Sequence, residues 1–251
     1  MSWPRRAAGR PWIYGHRGMR DAVAENTIHA FEAALRQGAD GVEFDVRINR
    51  EAEVVVFHDE SLDRMTEGED VRRVADLSLA ELRGVRLRER GAIPSLEEVL
   101  DWASARRAYL NIELKQDEGA GELLVSAVLR ALNRGDRTEL KQRVILSSFS
   151  PEILTWLVGY GAELPLARLL DPHDRDQEVC LPSGVDGLHP HFTQPNRGNP
   201  RQGAQAACFV NAWTVNDTAT ALRLDALGID GIITDQPRAI RWLFDERLGV
   251  E

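Results

Sequence analysis

In the stretch GVEFDVRINREAEVVVFHDE, Gly41 to Glu60, an extended chain sends Glu43, Asp45 and Arg47 to one face and Val42, Phe44 and Val46 to the other. The stretch closes on His58 and Asp59. Similar polar groups end other apolar runs: His16 and Arg17 in WIYGHRG, and Glu113 alternating with Lys115 in LNIELK. Three carboxylates, Glu43, Asp45 and Glu113, would repel one another in a partly dry pocket unless a cation neutralised them. Oxygen-only ligation suits one hard divalent cation, Mg²⁺ or Ca²⁺, better than zinc. For any one of them a salt bridge to Arg17, Arg47 or Lys115 serves equally well; for three together a metal is favoured. His16 and His58 titrate near working pH and suit a general base and a general acid. Arg17 and Lys115 supply positive charge for an anion, with phosphate the natural candidate. The set describes cleavage of a phosphoryl ester without naming the ester.

Lysine is scarce. Of 31 basic residues only Lys115 and Lys141 are lysine. A lysine among arginines singles out Lys115 as a place that wants a compact point charge rather than a planar fork, unless chance put it there.

The elements that must position these groups are eight short apolar runs: WIYGHRG, GVEFDV, YLNIELK, RVILSSF, LPLARLL, VDGLHP, FVNAWTV and GIDGIITD. Helical segments lie between them, with start signals at Asn26, at Ser95 with Glu98, and at Ser150-Pro151. This alternation predicts a parallel sheet with helices outside. The repeated joints GADG at Gly38, GVDG at Gly184 and GIDG at Gly228 argue for repeated units and a closed sheet. An open doubly wound sheet is the lesser alternative, since no glycine-rich nucleotide fingerprint comes after the first strand. The expected fold is α/β, a (β/α)8 TIM barrel.

Only Arg47 to Glu53 separate GVEFDV from VVVFHD, too few residues for a parallel crossover. A hairpin turning near Arg50 to Glu53 is expected, returning His58 to the side of Asp45. Residues 60–93 are crowded with charge and contain SLAELRGV, opened by Ser78 and Glu81. They read as a small inserted lid subdomain over the carboxy-terminal mouth, where barrels keep their chemistry, with a solvated surface loop as the lesser alternative. The whole chain, 1–251, is expected to be one domain carrying that insertion. Residues 171–183 and 193–203 read as loops.

The net charge of -9 and pI of about 5.3 disfavour nucleic acid as a partner. No run of about 18 apolar residues suggests a membrane anchor, and the basic start does not lead into a signal-peptide core. A cytoplasmic protein with a small-molecule substrate is expected, of undetermined oligomeric state. Cys180 and Cys208 lack metal-ligand spacing and read as buried spectators.

The ordered series HRG at His16, ENT at Glu25, EFD at Glu43, HD at His58, LDR at Leu62, IELK at Ile112, SSF at Ser147, WTVN at Trp213 and ITD at Ile233 resembles the glycerophosphodiester phosphodiesterase family from about Trp12 to Trp242. The family is a (β/α)8 barrel with an insertion near its second histidine. The resemblance implies hydrolysis of glycerophosphodiesters, such as glycerophosphocholine or glycerophosphoethanolamine, to glycerol 3-phosphate and an alcohol. It assigns the metal to Glu43, Asp45 and Glu113, acid-base chemistry to His16 and His58, and phosphate binding to Arg17 and Lys115. By the same resemblance Glu25 and Asn26 line or brace the site. As plain sequence, Asn26 is also explained as a helix cap, and Asn216 as either a site neighbour or the cap of DTATALRLDALG. Trp213 could pack against the substrate or fill the core. The implied route is attack by a metal-activated glycerol 2-hydroxyl, giving a cyclic phosphate that water opens, with direct attack by water as the alternative. Ala24 stands where the family usually has proline, and the hairpin lacks an Asp-Gly turn. His189 and His191 could touch substrate or fill the barrel rim and stay outside the expected site. The rival functions are a lysophospholipase D, a barrel that binds phosphodiesters without cutting them and, more remotely, a metal-using barrel that rearranges sugars.

Overall fold

The structure, a computed structural model, describes residues 9–20, 23–89, 91–173, 181–194 and 209–249. Cys180, Cys208 and most of the two expected loops lie outside them. Eight parallel strands close into a barrel: β1 (Trp12–His16), β2 (Gly41–Ile48), β4 (Tyr109–Leu114), β5 (Val144–Ser148), β6 (Leu166–Leu170), β7 (Gly187–Pro190), β8 (Phe209–Ala212) and β9 (Gly231–Thr234). Closure comes from β1, which pairs β9 with Trp12 opposite Gly231 and pairs β2 with His16 opposite Glu43. A short strand, β3 (Val54–Val56), runs antiparallel to β2, with Val46 opposite Val56. These strands are the eight apolar runs of the sequence and the expected hairpin.

Helices α1 (Ile28–Arg36), α3 (Leu96–Arg106), α4 (Gly121–Asn133), α6 (Pro151–Gly159), α7 (Thr218–Ala226) and α8 (Pro237–Leu248) are the longer helices among the described residues; α2 (Leu79–Arg83) and α5 (Thr138–Lys141) are single turns. Ser78 with Glu81 and Ser95 with Glu98 form complete capping boxes, and Ser150 caps α6 ahead of Pro151. Asn26 is not a cap. Thr27 takes that role by accepting from the Ala30 N–H, while Asn26 has φ +57° and turns its amide inward. Asn216 is likewise not the cap of α7; Asp217 is, accepting from Thr220.

The alternation in β2 divides the interior in two. Val42, Phe44 and Val46 join Leu110, Ile112, Leu146 and the buried faces of α1, α3, α4 and α6 in the main core between sheet and helices. Inside the barrel, Tyr14, Ile145, Ala167, Phe209 and Ile233 form a separate cluster. Each fully buried side chain of this size is worth about 1.5–3 kcal/mol, so the outward face of β2 is energetically committed to the core. A slip of one residue would exchange acids and apolar groups.

The three repeated joints share one geometry. Their first glycines, Gly38, Gly184 and Gly228, have φ of +89°, +88° and +76°, a region where a side chain is strained. The aspartates two or so residues on then lock each new strand to its neighbour. Asp40 N–H donates to Ile13 O and its carboxylate accepts the Ile13 N–H at 2.9 Å. Asp186 does the same with Leu166 at 3.0 Å, and Asp230 with Val210 at 2.9 Å. A two-point bond near the start of a strand sets register where the ladder is only beginning.

Residues 60–93 carry two 3-10 turns, Asp63–Thr66 and Val74–Asp76, and α2. Their Leu62, Met65, Val74, Leu77 and Leu82 pack with Ala24, Val55 and Phe57 in a cluster of their own. Among the described residues no helix is long and apolar enough to cross a membrane.

Candidate active site

The site forms where the strand ends meet the first loop. After His16 the chain turns through Arg17 at φ +55° and Gly18 at φ +83°. A Cβ on Gly18 would lie 2.6 Å from the Ala30 backbone, so the turn needs glycine there. The turn aims the Arg17 N–H at Glu43, 2.8 Å from its carbonyl and 3.2 Å from Oε2. The Arg17 guanidinium reaches Glu25 Oε1 at 2.8 Å and Asp45 Oδ2 at 3.4 Å. Asn26 brackets Asp45 from the other side, donating from Nδ2 to Oδ2 at 2.8 Å and accepting the Asp45 N–H at 3.3 Å.

Asp45 and Glu113 are paired across β2 and β4. Like charges directly opposite are destabilising, and Lys115 relieves them: its Nζ lies 3.0 Å from Asp45 Oδ1 and 2.5 Å from Glu113 Oε1. The ligand atoms of Glu43, Asp45 and Glu113, all buried, lie within 4.8 Å of one another. Burial, reinforced by Asp45 and Glu113, raises the proton affinity of Glu43 well above the carboxylate range. Burial also raises Glu113, with Asp45 adding to it against the pull of Lys115. Asp45 is held far below the range because Lys115 and Arg17 outweigh its burial. Arg17 is shared with Glu25, so the three acids Glu43, Asp45 and Glu113 have Lys115 and only part of Arg17 to balance them. The excess negative charge and the all-oxygen donors fit a hard divalent cation. Arg47 takes no part: it pairs with Asp117 and donates from Nε to His58 O at 2.9 Å.

The hairpin returns where expected, the Phe57 N–H donating to Asp45 O at 3.0 Å. In place of an Asp-Gly turn, Asn49 Oδ1 accepts the N–H groups of Glu51 and Glu53, with Ala52 at φ +59°. His58 Nδ1 lies 2.6 Å from Asp59 Oδ1, and His16 Nδ1 lies 2.8 Å from Asp235 Oδ1. Asp235 is itself held well below the usual carboxylate range, because His16 and Asn216 outweigh its burial. An ionised carboxylate only accepts, so His16 carries its proton on Nδ1 and keeps Nε2 free for substrate. Burial lowers the His16 pKa against the opposing pull of Asp235, which favours the neutral ring.

His16, Arg17, Glu43, His58, Glu113 and Lys115, together with the apolar Phe149, Leu169, Trp213 and Ile233, line a cavity of about 190 Å³. Trp213 is fixed by its indole N–H on His189 O at 2.8 Å and by edge contacts with Phe149 and His191. Two larger hollows, of about 250 and about 430 Å³, lie outside the barrel against α4; neither is lined by an imidazole or by the clustered acids. His189 is fully buried beside Asn111 and Asn211, with burial lowering its pKa to about 3. It fills the barrel. His191 stands on the rim beside Trp213, its Nδ1 2.8 Å from Thr193 Oγ1.

Every residue expected at the site thus lies in or directly behind this cavity. Glu25 and Asn26 stand behind it, touching Arg17 and Asp45 rather than open space. Sequence reasoning passed over Asp235, Asn216 as its partner (2.8 Å), Arg20 and Arg64. ITD and LDR are visible as triplets, and the position just past the last strand, where ITD ends, points to Asp235.

At the carboxy-terminal mouth of a parallel barrel, these imidazoles, acids and cations make a site suited to an anionic substrate and to acid-base chemistry. The pattern of the glycerophosphoryl diester phosphodiesterase family matches residues 16–239, and the chain belongs to that family. It is 31% identical over 248 residues to a glycerophosphodiester phosphodiesterase of Caldanaerobacter subterraneus subsp. tengcongensis, covering 91% of this chain and 95% of that one. A glycerophosphodiester phosphodiesterase of Bacillus altitudinis is 32% identical, with 91% and 96% covered. Among solved structures, an Oleispira antarctica phosphodiesterase in complex with the product sn-glycerol-3-phosphate superposes with a TM-score of 0.79 at 27% identity, covering 94% of this chain and 97% of that one.

Proposed function

We propose that the protein hydrolyses glycerophosphodiesters such as glycerophosphocholine or glycerophosphoethanolamine to glycerol 3-phosphate and an alcohol. The observation that carries this reading is the convergence of His16, His58, Arg17, Lys115, Glu43 and Glu113 on one cavity, with the buried Asp45 bonded to Lys115 behind it. Arg17 and Lys115 hold the phosphate. His16, neutral with Nε2 free, accepts the proton of the glycerol 2-hydroxyl as its oxygen bonds to phosphorus. His58 gives a proton to the departing alcohol as its P–O bond breaks, leaving a cyclic phosphate. Water then attacks phosphorus and gives a proton to His58, while His16 returns its own to the 2-oxygen. The apolar wall with Trp213 seats the carbon skeleton. Glu43, Asp45 and Glu113 would hold one divalent cation, Mg²⁺ or Ca²⁺, whose chemistry when bound is Lewis-acid stabilisation of charge on oxygen.

The chain works in this reading as a single domain with residues 60–93 inserted over the mouth, on a freely diffusing substrate in the cytoplasm. A lysophospholipase D would need an apolar channel between insert and barrel; the insert instead spends its apolar groups on its own cluster and turns Arg64 to the site. Binding without turnover has no use for two imidazoles each backed by a carboxylate. The deciding measurement is glycerol 3-phosphate release from glycerophosphocholine, before and after chelation and with Mg²⁺ or Ca²⁺ restored. Release that survives thorough chelation removes the metal from the proposal, and binding without product under every cation removes the activity.

A further inference from the structure

The two imidazoles are not backed independently. Behind His16, Asp235 Oδ1 receives Arg20 Nη2 at 2.8 Å, and Nη1 of the same guanidinium lies 3.3 Å from Glu25 Oε2. The other oxygen, Glu25 Oε1, accepts from Arg64 Nη2 at 2.6 Å. Arg64 Nε reaches Asp59 Oδ2 at 2.6 Å, the carboxylate behind His58. One unbroken series of ion pairs therefore runs from His16 through Asp235, Arg20, Glu25, Arg64 and Asp59 to His58. Each arginine spans two carboxylates with different nitrogens, which the single ammonium of lysine reproduces poorly. Glu25, at the middle, is 5% exposed. Arg20 comes from the loop after β1 and Arg64 from the insert, so the series crosses from barrel to insert.

We infer that Arg20 and Arg64, joined through Glu25, are positioning residues that hold Asp235 and Asp59, and through them His16 and His58, at a fixed separation across the bound phosphodiester. The inference rests on the reading of His16 and His58 as the acid-base pair. Arg20 and Arg64 are 34% and 40% exposed, and Arg17 keeps its own hold on the buried Glu25 when either is removed, so the fold is expected to survive the loss of one of them. Their loss is felt in turnover. Arg17 braces Glu25 and Asn216 braces Asp235 from the side, so what Arg20 and Arg64 supply is the link between the two halves; cutting either breaks that link, and a second cut adds little.

The test measures kcat and KM for glycerol 3-phosphate release from glycerophosphocholine, with divalent cation supplied, for the native protein, R20Q, R64Q and the double variant. R73Q, which cuts the insert's pair with Glu60, and H58A run beside them, with thermal unfolding as the folding check. Each single variant is expected to lose about tenfold in kcat with KM within about threefold, the double variant to match the singles within about twofold, and R73Q to be native. Native kcat in R20Q and R64Q, a double loss equal to the product of the single losses, or an effect confined to KM overturns the tether. If a glutamine variant does not fold, R20K and R64K, which keep charge but lose the fork, are judged by the same criteria. Native kcat in H58A would remove the acid-base reading and the tether together; loss in H58A with native R20Q and R64Q removes the tether alone.

Discussion

His16 Nδ1 stands 2.8 Å from Asp235 Oδ1 across 219 residues of chain. The bond makes β1 and β9, the strands that close the barrel, jointly responsible for one imidazole. A ring held at Nδ1 by an ionised acceptor presents a defined tautomer, and an amide in the same place can present its NH₂ and reverse it. Asp235→Asn is therefore expected to lower kcat by roughly 10²-fold, while His16→Ala and His58→Ala lower it by roughly 10² to 10⁴-fold. Steady-state rates on folded variants check this; native turnover in Asp235→Asn would detach the carboxylate from the chemistry.

Glu25 governs behaviour in acid. Its pKa falls from 4.5 to about 2, because the Arg64 and Arg17 guanidiniums outweigh its burial. A depressed folded pKa contributes stability that is complete above 4.5 and disappears as pH falls through about 2. Near neutrality that contribution is at most about 3 kcal/mol. Glu25→Gln lacks it, so the native protein's advantage in unfolding free energy should be greatest at neutral pH and shrink on acidification. Parallel curves for the two proteins down to pH 3 would contradict the assignment.

Trp213 lines the cavity with Phe149, Leu169 and Ile233. Trp213→Ala removes its edge contacts with Phe149 and His191, and the expected result is a KM higher by about tenfold, equal to about 1.4 kcal/mol of lost binding, with a smaller change in kcat. A fall in kcat alone, at native KM, would place the indole in the reaction rather than in binding.

The joint at Asp186 is structural. Asp186→Ala leaves the buried Leu166 N–H without its carboxylate acceptor and is expected to cost about 1–3 kcal/mol in urea unfolding. Turnover of the folded fraction should be native, since β6 and β7 meet there at the end of the barrel away from the mouth. A loss of turnover without a loss of stability would mean that this joint reports to the site.

Local rules on a single chain sufficed for much of this molecule. Period-two alternation in Gly41–Ile48 assigned Glu43 and Asp45 to one face, and the shortness of the link to Val54 required an antiparallel return. Ser78, Ser95 and Ser150 announced their helices through bonds made within one turn. Those features depend on neighbours a few residues away, so the order of residues contains them. Asn26 and Asn216 show the limit: by type both pass for caps, yet each spends its amide on an aspartate remote in the chain, Asp45 on β2 or Asp235 just past β9. Nothing in the spacing of Arg20 or Arg64 marks them either, because each owes its importance to a partner brought close by barrel closure or by docking of the insert. The strands, their two faces and the chemical kinds of group at the mouth were thus written in the residue order. Which carboxylate stands behind which imidazole was left to the folded chain, because side-chain pairing between remote strands is settled by closure and packing rather than by local backbone preference.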